Sequence, residues 1–171
     1  MRLAIATALA LCSGSLAAEV TISDQHGFQV VQSRESSASA TAAYRAMTEQ
    51  VDEWWSKDHS WSGDANNFYM NMEPGGCFCE KLPGGGVAQH LGLLFFEPGE
   101  QLVFDGALGP LLTMPVNGRM VWTIDQMDAG SRITFTYHVT GHPSANLPGI
   151  APAVDGVIGE QLDRLAKLLN P

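Results

Sequence analysis

Between Gly75 and Phe104 the chain is cut into short apolar runs by residues that tight turns favour. Gly75-Gly76 leads into Cys77-Phe78-Cys79-Glu80, Gly84-Gly85-Gly86 into Val87 to Phe96, and Pro98-Gly99 into Leu102-Val103-Phe104. Glycine gives a turn its positive φ and proline presets the turn backbone. Runs joined this tightly pair with their sequence neighbours, so the segment reads as an antiparallel meander. With a helical segment before it and a long amphipathic helix after it, the meander specifies a curved sheet gripping a helix, with a cavity between them.

The remaining pattern fits that frame. Gly27 to Glu35 alternates weakly and reads as the first strand, closed by the Ser36-Ser37-Ala38-Ser39 turn. Ala40, Ala43, Tyr44, Met47, Val51, Trp54 and Trp55 then fall at helical spacing, as one helix or as two broken near Thr48. Ser56 to Asn66 is a polar loop. Further strands are expected over Asn67–Glu73, Cys77–Leu82, Val87–Glu97, Gln101–Asp105, Asn117–Asp125 and Arg132–Thr140. Gly106 to Val116 is an apolar loop, and Gly141 to Pro152 is a proline-rich one. From about Pro152 to Leu169 apolar residues recur at helical spacing, with Val157, Ile158, Leu162 and Leu165 as the buried face. Gly156 and Gly159 inside this helix cost propensity, which points to close approach to the sheet or to room for a ligand. The class is α+β, with about seven antiparallel strands around one long C-terminal helix.

Residues 1–18 read as a cleaved secretory signal: Arg2, the apolar run Leu3 to Leu11, then small residues up to Ala18. The run is too short to span a bilayer. Residues 19–171 form one domain by size. The net charge is −9, and removing Arg2 with the leader makes it −10. An acidic chain without clustered Lys or Arg argues against nucleic acid and anionic membrane surfaces as partners. No later segment suits stable membrane insertion. Export to the periplasm is the expected location, with secretion as the alternative.

Chemistry-bearing residues are few. The chain lacks a nucleophile elbow, a Walker loop and a His-Glu-x-x-His signature. Cys77 and Cys79 stand two apart in one strand, where an extended backbone holds the Cα atoms far apart, so the thiols are expected to stay unbonded. With His90 they form a weak metal set, and no metal or other cofactor is expected. Glu80 alternates with the cysteines and shares the face of Phe78. It either reaches solvent at the strand end or enters the cavity. There it would act as an acid or base with His90 as a second candidate.

The order of strand, two short helices, six strands and long helix, with Trp54-Trp55 ending the helical segment, resembles the SRPBCC superfamily, also called START-like or helix-grip. Gly75 to Leu112 is most similar to its polyketide cyclase/dehydrase and Hsp90-ATPase-activator-homologue branches. That resemblance implies a hydrophobic cavity between sheet and helix. It implies a small hydrophobic ligand, whether lipid, aromatic or polyketide-like, held by inward residues. The candidates are Trp54, Trp55, Tyr69, Phe78, Phe104, Met120, Trp122, Phe135, Tyr137 and Ile158, with Leu111, Leu112 and Met114 at the mouth. Binding without catalysis is the leading expectation. A cyclase- or dehydrase-type enzyme using Glu80, and an interaction module related to the chaperone activators, are the alternatives.

Overall fold

The computed structural model describes residues 19–170, so the expected leader over 1–18 lies outside the described residues. The strands are β1 (Glu19–Asp24), β2 (Gly27–Ser36), β3 (Phe68–Met70), β4 (Cys77–Lys81), β5 (Val87–Glu97), β6 (Gln101–Asp105), β7 (Val116–Met127) and β8 (Gly130–Gly141). They form one antiparallel sheet in the order β1-β2-β8-β7-β6-β5-β4-β3. The helices are α1 (Ala40–Glu49), α2 (Val51–Trp54) and α3 (Leu147–Leu169). The sheet thus has eight strands where about seven were expected. The added one, β1, pairs with β2 through a tight turn closed by Asp24 Oδ1, which accepts from the His26 and Gly27 N–H groups at 2.7 and 3.1 Å. Its weak alternation hides it in the sequence: Thr21 and Ile22 are both exposed.

The helical stripe does break, at Gln50, into α1 and α2. Ser39 caps α1 by accepting from the Ala42 N–H at 3.2 Å, which satisfies one orphan donor of the first turn. The C-terminal helix starts at Leu147, five residues before the expected Pro152. Pro148 lies in the first turn, where no amide donor is needed. Leu147 and Ala151 are buried, so packing extends the helix through a stretch whose prolines read as loop.

Ile158, Leu162 and Leu165 are fully buried and press α3 onto the concave sheet. Gln32 and Arg34 on β2 reach Asp155 and Asp163 of α3, each at 2.6 Å, and fix the helix along the strand. Arg164 donates to the Trp54 carbonyl at 2.8 Å and ties α3 to the end of α2. The centre of the sheet is filled with aromatic side chains. Trp122 stacks on Phe135 with centroids 4.5 Å apart, and Trp54 and Phe104 meet Trp122 edge-on at 5.7 and 4.8 Å. Each such fully buried side chain contributes about 1.5–3 kcal/mol through apolar area alone. The middle of the grip is therefore packed solid.

Candidate functional site

The free space lies at one end of the grip. A cavity of about 530 Å³ opens between the first half of α3, the Leu108–Met114 loop and the Ser56–Trp61 loop, with Trp55 and His90 in its wall. Trp61, Pro110 and Ala153 of that wall are exposed and mark its opening to solvent. The wall is overwhelmingly apolar and carries no Lys or Arg. A second depression, over Tyr44, Phe68, Tyr69 and Met72, has a mixed polar and apolar wall and no buried charged group.

His90 reaches the cavity through a β-bulge. Phe78 pairs with Leu91 and Cys79 with Gln89, so His90 is an extra residue in β5. The bulge shifts the phase of the strand: Ala88 and His90 point inward before it, Leu91 and Leu93 after it. A regular strand carrying Leu91 inward would have turned His90 outward. The ring stacks on Phe78 at 5.1 Å, lies 5.3 Å from Phe68, and is 3% exposed.

Glu80 lies behind it, inward and fully buried, on the face of Phe78. Its carboxylate accepts from the Trp61 N–H at 2.9 Å, the Ser62 N–H at 2.6 Å and His90 Nε2 at 3.0 Å. Burial pushes the carboxyl up, but the hydrogen bonds from Ser62, Trp61 and His90 outweigh it and hold the group below its ordinary value. Glu80 is thus ionised and can only accept, so Nε2 of His90 carries the proton between them. Burial lowers the imidazole's proton affinity against the raising effect of Glu80, and the ring is neutral. That leaves Nδ1 as a bare lone pair, without a partner among the described residues.

The opposite wall hangs on Tyr137. Its hydroxyl donates to the Gly106 carbonyl at 3.1 Å and accepts from the Leu108 N–H at 3.0 Å, which pins the start of the apolar loop to the sheet. Burial raises the phenol to about 12, so it stays protonated. Gly118 makes this possible, since a Cβ there would lie 2.7 Å from the Tyr137 hydroxyl. On the third side Gln161 accepts from the Ser56 N–H at 2.7 Å, and His59 Nε2 lies 3.0 Å from Glu160, so α3 holds the Ser56–Trp61 loop.

Of the expected lining residues, Trp55 and Ile158 are in the wall. Trp54, Phe78, Phe104, Met120, Trp122, Phe135 and Tyr137 sit in the packed core instead, because they fill one another's space under the centre of α3. Tyr69 faces the second depression, with the Lys81 ammonium 5.7 Å from its ring centroid. Leu111 and Met114 of the expected mouth are in the wall, Leu111 buried, while Leu112 is exposed and is not in it. Glu80 does not reach the cavity; it holds the wall and orients His90. The sequence reading missed Leu108, Ile150, Val154 and Val157, which come together only when the loops fold over α3. Trp61, an aromatic residue inside a polar loop, was the available signal.

The cysteines correct the sequence expectation. Cys77 and Cys79 form a disulfide. The expectation assumed a fully extended strand, yet beside the bulge β4 bends and the Cα atoms are 5.4 Å apart, within disulfide reach. Both thiols are thereby removed from the metal set considered with His90.

No protein-family model and no curated protein matches the chain. Solved structures do. An uncharacterized protein from Rhizobium leguminosarum is 18% identical with a TM-score of 0.63, over 90% of this chain and 96% of that one. A protein from Nitrosomonas europaea is 18% identical with a TM-score of 0.61, over 86% and 96%. The di-domain ARO/CYC StfQ from the steffimycin biosynthetic pathway is 12% identical with a TM-score of 0.58, over 85% of this chain and 51% of that one. Identities this low speak for the fold alone: a curved antiparallel sheet wrapped on a long C-terminal helix, shared with these structures.

Proposed function

We propose that the protein binds a small hydrophobic molecule in the cavity at the end of its helix grip. The cavity itself carries this reading: about 530 Å³ of apolar-walled space, open at one side, in a fold whose centre is otherwise packed. That volume is in the range of small-molecule sites. Likeness in fold to an ARO/CYC protein supports a ligand of aromatic or polyketide type. The test uses Nile red, a neutral apolar dye. It should bind, and it should change tryptophan emission because Trp55 and Trp61 are in the wall. Val154→Trp, which fills the cavity from α3, should abolish binding without unfolding the protein. No binding, or binding indifferent to Val154→Trp, would refute the reading.

One observation favours an enzymatic version of the same site. His90 is a neutral base with a free lone pair, oriented by a carboxylate, in the wall of an apolar cavity. Turnover of a native ligand lost in His90→Phe at saturating ligand would establish catalysis. An open cavity gives no support to the interaction-module alternative, which a closed interior would have favoured.

We also propose that the working protein is exported, with residues 1–18 removed. The leader-like sequence supports this, and so does the disulfide, since disulfides persist in oxidising compartments such as the periplasm. N-terminal sequencing of protein from the periplasmic fraction should begin near Glu19. An intact leader on cytoplasmic protein would overturn it.

A further inference from the structure

We infer that the cavity selects neutral ligands bearing a hydroxyl group, phenolic or alcoholic, and that His90 Nδ1 accepts that hydroxyl's hydrogen bond. The inference rests on the cavity reading above and adds a chemical class to it. Five of the wall residues are buried: Trp55, His90, Leu108, Leu111 and Ile158. Among them only two side chains are polar. Trp55 already donates through Nε1 to the His59 carbonyl at 3.4 Å. His90 has one nitrogen committed to Glu80, while the other is unpartnered among the described residues. Of the polar groups nearer the opening, Ser60 Oγ donates to the Lys57 carbonyl at 2.6 Å and accepts from the Gly63 N–H at 2.8 Å, and His59 meets Glu160, whereas Asp58 and Trp61 are exposed to solvent.

The sign of the site follows from Glu80. Two backbone N–H groups hold Glu80 as a carboxylate, which cannot donate, so the shared proton stays on Nε2 and Nδ1 is left as an acceptor. The aromatic packing of Phe68 and Phe78 fixes the ring, so a flip that would take Nε2 off Glu80 needs repacking. A ligand carboxylate would bring a second acceptor to that lone pair. It would meet no Lys or Arg in the wall, and it would face Asp58 at the opening. A ligand with only apolar or accepting groups would leave Nδ1 desolvated and unpaired. A hydroxyl satisfies it.

The test compares three probes with one ring system: β-naphthol, its methyl ether and β-naphthoate. The ether keeps the shape and loses the donor. Wild-type protein should bind the naphthol about tenfold more tightly than the ether, about 1.4 kcal/mol. Naphthoate should bind more weakly than the naphthol by at least that factor. His90→Phe keeps the ring and leaves Glu80 its two N–H donors. It should bind the naphthol and the ether alike, because neither the hydrogen bond nor the unpaired Nδ1 remains. Nitrogen NMR of histidine-labelled wild type gives a readout that needs no variant: Nδ1 of His90 should be the unprotonated nitrogen, and its signal should shift when naphthol is added. Equal binding of naphthol and ether by the wild type would overturn the inference and leave the cavity reading standing. A protonated Nδ1 would do the same. Failure of both neutral probes to bind would overturn the two together.

Discussion

Glu80 and Tyr137 show how single side chains set up the site from behind it. Neither lines the cavity, yet each holds one of its walls through hydrogen bonds that nothing else replaces. In Tyr137→Phe the Leu108 N–H loses its acceptor in a buried place and the Gly106 carbonyl loses its donor. The expected cost is about 1–3 kcal/mol in urea denaturation, with weaker Nile red binding as the apolar loop loosens. An unchanged midpoint would mean that water replaces the hydroxyl. The Glu80–His90 pair predicts a pH dependence. Both groups have depressed folded pKa values, so the unfolded chain binds protons more readily than the folded one. The stability they confer is fully present above their ordinary values, 6.5 for the imidazole and 4.5 for the carboxyl. It is lost as the pH falls through the depressed values of the fold. Stability should therefore decline on acidification below about pH 6.5, and His90→Phe should show a smaller decline over the first part of that range. A variant whose stability tracks wild type at every pH would show that His90 does not contribute.

Elements decide where the free space lies. β5 carries two bulges and β4 bends beside one of them, near the β3 end of the sheet, while aromatic side chains fill its centre. The two helix glycines serve different ends. Gly159 is buried against Gln32 of β2, where a Cβ would lie 3.4 Å from the amide, an ordinary van der Waals contact. Gly156 is exposed, a Cβ there would touch nothing, and it is not in the cavity wall. Gly156→Ala should therefore stabilise the protein by roughly 0.5–1 kcal/mol and leave probe binding unchanged. Loss of binding in that variant would restore the idea that the glycine makes room for a ligand. The disulfide belongs to the same scale, since it spans only the bend in β4. Closing so short a loop is worth about 1.5 kcal/mol, so the double change Cys77→Ala and Cys79→Ala should cost about that much. Alkylation of either residue in the native, unreduced protein would refute the pairing.

The described residues share one contiguous core, from Phe28 on β2 through the aromatic centre to Leu165 on α3. Tryptophan emission and far-UV circular dichroism should therefore report a single coincident unfolding transition; two separated transitions would show that the loop-walled end unfolds alone. Much of this architecture was legible in the chain. Period-two alternation over β7 and β8, glycine turns through the meander and the helical spacing of α3 are local signals, and local geometry alone fixes which residues can share a face. Boundaries failed where packing overrode propensity. Leu147 and Ala151 draw the helix through a proline-rich stretch, and β1 pairs despite its exposed side chains. The site was legible as residue types but not as a place. Glu80 and His90 stood out in the sequence; that a bulge would turn His90 inward, and that Glu80 would hold a loop nineteen residues upstream, depends on cross-strand register and loop docking. The same limit explains the aromatic residues. Alternation assigns Trp122 and Phe135 to the inner face, but whether an inner face is packed or hollow is a matter of volumes contributed by distant segments. Sequence by itself determined seven of the eight strands, the helices, their order and the inward faces of the regular strands, because these follow from backbone geometry and periodicity. Only the tertiary structure decided where space remains and which polar atom faces it, because both are set by how separate segments fill and bond one another.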